Sequence, residues 1–151
     1  MKTSVFNVYP EVGPRVLILL SCWKKPLRIN QVALIDLLST FGKKYGLRES
    51  NLHGNNESSG REIAARRKVI QRSMTILAGQ GYVKVVVSQK GFSYLISDSG
   101  KSEAAKLKDL YSLEYRSACS SLIQKFGSYD ESEMFQEFNK LIMEGYNDGH
   151  N

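Results

Sequence analysis

The feature that most constrains this chain is a change of hydrophobic period around Gly79 and Gly81. Before it, over about residues 60 to 79, Ile63, Ile70, Met74 and Leu77 recur at helical spacing and share one face. After it, Tyr82 to Ser88 and Phe92 to Ser97 are β-branched and aromatic runs separated by Gln89, Lys90 and Gly91, which predicts a hairpin. The two glycines stop the helix without room for a long connection. Ser59 is placed to cap the helix, with Glu62 three residues later at capping-box spacing.

Upstream, the pattern predicts a first core helix over residues 11 to 23, with Pro14 in its first turn and Val16, Leu17, Leu19 and Leu20 behind it. Pro26 ends it, Leu27 to Ile29 reads as a short extended piece, and Asn30 is positioned as the N-cap of a second helix. That helix carries Val32, Ile35, Leu38 and Phe41 on one side and stops at Gly42 and Gly46. From Gly46 to Gly60 the chain turns polar around His53, as a surface loop does. Helix, extended piece, helix, helix, hairpin is the order of a winged helix-turn-helix. The expected fold class is therefore α+β and mainly helical, with a β-hairpin wing and a C-terminal helical extension.

After the hairpin, Ser99 is positioned to open further helix through about Phe126, with a break near Ser112. A last amphipathic segment, residues 131 to 144, places Met134, Phe138, Leu141 and Ile142 on one face among Glu131, Glu133, Glu137 and Glu144. That face either folds back on the body or docks into a groove of a partner. The chain's 151 residues suit one core with an appendage, so residues 1–98 are expected to form the winged helix and residues 99–151 the helical extension with its acidic tail.

Charge is placed unevenly. Residues 1 to 128 carry 20 basic and 9 acidic side chains, and residues 129 to 151 carry 1 and 6, so a body of +11 is joined to a tail of −5. The third helix holds much of the excess. At about 100° per residue, Arg61, Lys68 and Arg72 fall in one narrow stripe opposite the apolar face. In a winged helix this element enters the major groove, where Arg and Lys meet phosphates or guanine edges. A stripe of this kind also serves as a protein contact or as a plain solvated face. Arg66 and Arg67 flank the apolar side and are expected to lie along the core or pair with a carboxylate. Lys84 and Lys90 belong to the hairpin, where a basic wing can touch backbone phosphate and a lysine on an edge strand can equally guard against sheet-to-sheet pairing.

Chemistry has little to draw on. Gly100, Lys101 and Ser102 imitate the end of a phosphate-binding loop, but Leu95 stands where that motif needs glycine, and the segment follows a hairpin, so a helix start is the better reading. His53 and His150 are the two histidines, and neither joins a cysteine at metal-ligand spacing. Cys22 and Cys119 sit singly in apolar helical stretches, as reduced, buried small hydrophobes. The longest apolar run, Val16 to Trp23, is far short of the roughly 20 residues a bilayer requires. The expectations are a non-enzymatic cytoplasmic protein with no cofactor, no metal and no membrane contact.

With the elements placed, several of them resemble one family, the middle component, type 2, of the ABC-three-component systems, which include the Lamassu anti-phage defence systems. The similar stretches are Asn7 to Leu20, Leu27 to Leu38, Leu52 with His53, and Ser59 to Val83, and the likeness runs over roughly residues 5 to 127. Pro14, and Gly54 after His53, depart from the family's usual residues. The resemblance implies a small accessory subunit that sits with an SMC-like or ABC-type ATPase and a nuclease-type effector, and the basic stripe Arg61, Lys68 and Arg72 adds double-stranded DNA as an expected partner. A free-standing winged-helix transcription regulator is the rival expectation.

Overall fold

The computed structural model describes residues 4–40 and 56–150. Its elements run α1 (Ser4–Cys22), α2 (Ile29–Thr40), α3 (Asn56–Gly79), β1 (Val83–Ser88), β2 (Gly91–Ile96), α4 (Asp98–Ala105), α5 (Leu110–Phe126) and α6 (Glu131–His150). The described chain is thus mainly helical, with one two-stranded antiparallel hairpin. Phe41, Gly42, Gly46, Leu52 and His53, and with them most of the expected polar loop, lie outside the described residues.

Helix α1 begins earlier than its sequence pattern predicts, so Pro14 stands inside the helix and not in its first turn. An interior proline forfeits one backbone hydrogen bond, at roughly 3 kcal/mol. Burial of Val16, Leu17, Ile18, Leu19 and Leu20 immediately after it offsets that loss, each such side chain contributing about 1.5–3 kcal/mol.

Leu27 is extended as expected, exchanging backbone hydrogen bonds with Tyr94 at 3.0 and 2.8 Å and adding one rung to the hairpin. Ile29 and Asn30 are already helical, which corrects the expected cap. The Arg28 backbone N–H donates to Gln31 Oε1 at 2.9 Å, so Gln31 reaches back over the first turn while Asn30 turns elsewhere. Helix α2 has no single apolar side. Every residue from Gln31 to Leu38 is buried, because α2 is the central helix and its neighbours cover it all round.

Helix α3 presents Ile63, Ile70, Met74 and Leu77 to the core as predicted. It starts at Asn56, three residues before the expected Ser59 cap, which is therefore inside the helix. Its end follows the glycine signal. Tyr82 N–H donates to Leu77 O at 2.9 Å and Gly81 N–H to Ala78 O at 3.1 Å, the paired bonds of a Schellman stop, and Gly81 supplies the required positive φ of 83°. The hairpin then pairs Val83 with Ile96 through Ser88 with Gly91, so its turn is the two residues Gln89 and Lys90.

Ser97, not Ser99, caps α4, because its hydroxyl accepts from Gly100 N–H at 3.0 Å and also donates to Gly81 O at 2.6 Å, across the base of the hairpin. The helical break expected near Ser112 is present, at residues 106–109. Asp109 caps α5 by accepting from the Ser112 backbone N–H and hydroxyl, which makes Ser112 part of a first turn. Asp130 and Glu133 exchange backbone-to-carboxylate bonds at 2.8 and 2.9 Å, a complete capping box at the start of α6. The buried apolar side chains from Val12 to Phe138 form one cluster.

Candidate partner and nucleic-acid interface

Helix α3 carries the expected stripe on its outside. Arg61, Lys68 and Arg72 are exposed, and Ala64 and Ala65 are exposed beside them, small side chains that leave the helix surface low between the long basic ones. Of the two flanking arginines, Arg66 turns inward to a carboxylate as expected, and Arg67 stays exposed and meets an amide oxygen instead. Arg66 pairs with Asp36 through Nη1 at 2.7 Å, and Arg67 Nη1 donates to Asn30 Oδ1 at 3.1 Å. One turn further on, Gln71 Nε2 donates to the Tyr94 hydroxyl at 3.1 Å. Three polar contacts to α2 and β2 therefore fix how α3 is rotated about its own axis.

The hairpin does not join all the basic residues into one surface. Partners in an antiparallel register share a face, and the faces alternate along a strand. Tyr94 faces α3, so its partner Val85, together with Val87 and Phe92, continues that face toward the tip, where all three are exposed. Lys84 pairs with Leu95 on the opposite face. It lines a cleft with Lys24, Lys101 and Arg116 and not with the α3 stripe. Lys90 is exposed in the turn itself. The apolar row Val85, Val87 and Phe92 was not singled out by sequence reasoning, since valine and phenylalanine in a strand normally indicate burial.

A second feature that sequence reasoning missed is Asp36, a carboxylate 1% exposed at its side chain. It accepts from Arg15 Nε at 2.9 Å and Arg15 Nη2 at 3.2 Å, from Arg66 Nη1 at 2.7 Å, and from the Tyr115 hydroxyl at 2.6 Å. One side chain thereby ties α1, α2, α3 and α5. Burial works against the Arg15 charge, but the attraction and hydrogen bonding of Asp36 together outweigh it and raise the guanidinium pKa above its ordinary value. Burial first, and then the Asp36 carboxylate, push the Tyr115 phenol well above 10.0, so it stays a neutral donor. The available signal was a single acid inside the apolar run of α2, from Val32 to Leu38, where an unpaired charge could not be buried.

Cys119 is buried, and burial pushes its thiol up to about 12, which leaves it in the inert thiol form. Cys22 is partly buried and free. Among the described residues there is no group of three or more His, Cys, Asp or Glu that could hold a metal ion. None of their helices is long and apolar enough to cross a membrane.

Met134 and Phe138 of α6 are buried in the chain's own core, and Leu141 packs against it half-buried. The side chain of Ile142 lies outside the described residues. Charge assists this docking, through Arg28 to Glu131 at 2.9 Å and Lys125 to Glu137 at 3.6 Å.

Fold and surface together define a small, mainly helical protein. Its central ionic cluster holds helices in place, and its outer faces offer basic and apolar contacts. Over residues 5–148 the chain matches the family described as ABC-three component (ABC-3C) system Middle Component 2, and it belongs to that family. No curated protein and no solved structure gave a match. The chain is accordingly an accessory component of an ABC-three-component system.

Proposed function

We propose that this chain is a non-catalytic winged-helix subunit of a cytoplasmic, Lamassu-like anti-phage defence complex. It holds an SMC-like or ABC-type ATPase and a nuclease-type effector together and lends basic residues to double-stranded DNA. The observation that carries the DNA contact is the outward stripe Arg61, Lys68 and Arg72 on α3, with Arg66 and Arg67 occupied by α2. The winged-helix reading is supported by the order of elements, with Leu27 as a rung between α1 and α2 and the hairpin directly after α3. The apolar row Val85, Val87 and Phe92 supports a protein partner at the hairpin, because an exposed apolar patch costs solubility unless something covers it.

Co-expression with the other components of its system tests the assembly. The complex should co-elute, and a chain that always elutes alone would end this reading. Binding of a random-sequence duplex, followed against salt, tests the DNA contact. Three phosphate contacts lower the logarithm of the binding constant by about 0.9 each per tenfold rise in salt. Charge reversal of Arg61, Lys68 and Arg72 to glutamate should abolish that binding. Nanomolar-order binding to one defined sequence by the chain alone would instead favour a free-standing transcription regulator.

A further inference from the structure

Behind the hairpin, on the face opposite Tyr94, the end of α1, the strand face carrying Lys84 and Leu95, and α4 enclose a cleft of about 570 Å³. Its floor is aliphatic. Leu20 and Ala104 are fully buried beneath it, Leu95 is half-buried and Ala105 exposed. Lys24, Lys84 and Lys101 stand around it, all exposed, together with Arg116, and exposed Asp98 is the one carboxylate in its lining. Within the described residues Lys101 meets a carboxylate only at 4.0 Å, that of the fully exposed Asp98, and neither Lys24 nor Lys84 has an ion-pair partner.

The cleft is held open by its own framework. Arg116 donates to Ala104 O at 2.8 Å and Leu107 O at 3.2 Å, closing the C-terminal end of α4. Gly100 sits so close to the Tyr82 carbonyl that no side chain fits between them, which presses α4 against the hairpin base. An aliphatic floor bordered by three lysines and Arg116 against a single carboxylate selects for an occupant with an apolar anchor and several negative charges.

Nucleic acid meets only half of that description. A duplex presents phosphates but nothing to fill an aliphatic floor, and no aromatic ring lines the cleft on which an unpaired base could stack. A protein segment combining Leu- or Ile-type anchors with Asp or Glu meets both halves. We propose that this cleft takes an acidic, aliphatically anchored segment of another component of the same system. The inference rests on the accessory-subunit reading and assigns that subunit a second surface, separate from the α3 stripe.

Zero-length carbodiimide cross-linking of the co-expressed complex tests it, because this reagent joins a lysine amine to a carboxylate only when the two are in ion-pair contact. Mass spectrometry should find Lys24, Lys84 or Lys101 joined to a carboxylate-rich segment of one other component. The variant with Lys24→Glu, Lys84→Glu and Lys101→Glu should keep its circular dichroism and its duplex binding through α3. It should lose affinity for that component by more than about tenfold, each tenfold corresponding to about 1.4 kcal/mol. Normal assembly by the variant would overturn the cleft and leave the accessory reading standing. Loss of duplex binding in place of assembly would reassign the cleft to nucleic acid. A wild-type chain that joins no complex would overturn both readings.

Discussion

Replacing Asp36 by alanine removes the one acceptor shared by Arg15, Arg66 and Tyr115. The Arg15 side chain left behind is only 11% exposed, so water cannot take over the role of the carboxylate. Breaking a buried ion pair by deleting one partner costs about 3–5 kcal/mol, chiefly through the uncompensated charge that remains. Against a total stability of about 5–15 kcal/mol this is a large fraction, and at about 2–4 °C per kcal/mol it lowers Tm by roughly 6–20 °C. Denaturant unfolding followed by far-UV circular dichroism measures the difference. A second variant separates charge from lost volume: Arg15→Met, Asp36→Leu, Arg66→Met and Tyr115→Phe together replace the whole cluster by apolar groups. If uncompensated charge is the cause, the fourfold variant should regain most of the stability, since well-packed apolar replacements of buried ion pairs are often neutral or better. An Asp36→Ala protein within about 1 kcal/mol of the parent, or a fourfold variant as unstable as the single one, would refute the reasoning.

Two further outcomes follow from the same core. Tyr115 and Cys119 both carry folded-state pKa values raised by burial, so their contribution is complete below the ordinary thiol and phenol values of 9.0 and 10.0 and is lost as pH rises. The unfolded chain releases these protons first. Stability should therefore fall from about pH 9 upward by at most about 1.4 kcal/mol per unit for each group, and Tyr115→Phe with Cys119→Ala should flatten the denaturation midpoint over that range. Gly100→Ala should destabilise by about 1–3 kcal/mol, although alanine favours helix, because the added methyl meets the Tyr82 carbonyl. A melting curve equal to or above that of the parent would show that α4 can move away from the hairpin base.

What the sequence made legible was local. The helical face of Ile63, Ile70, Met74 and Leu77, the glycine stop, the hairpin, and the inward use of Arg66 each depend on residues within a few turns of one another or on a plain amphipathic pattern. Caps were harder because candidates are plentiful. Both Ser97 and Ser99 donate to the Gly81 carbonyl, a contact sixteen and eighteen residues away that no local window contains, and only Ser97 accepts the Gly100 N–H. Helix α2 carried no directional signal, since an apolar helix surrounded by others has no outward face to mark it. Asp36 meets its partners at separations of 21, 30 and 79 residues, so only the assembled fold brings the cluster together.

The same cluster bears on the outer surface of α3. Arg66 grips Asp36 from the inner flank of the helix whose outer flank carries Arg61, Lys68 and Arg72. A helix held only by apolar contacts can roll by a fraction of a turn at little cost, because one methyl group replaces another in the same groove. Directional bonds do not permit that exchange, since a guanidinium a few ångströms from its carboxylate loses both hydrogen bonds and charge compensation. Arg66 to Asp36, Arg67 to Asn30 and Gln71 to Tyr94 therefore work as three stops against rotation, set along about one and a half turns. The direction in which the basic stripe points is consequently decided by the contacts of α3 with α2 and β2, the innermost of them Arg66 on the buried Asp36.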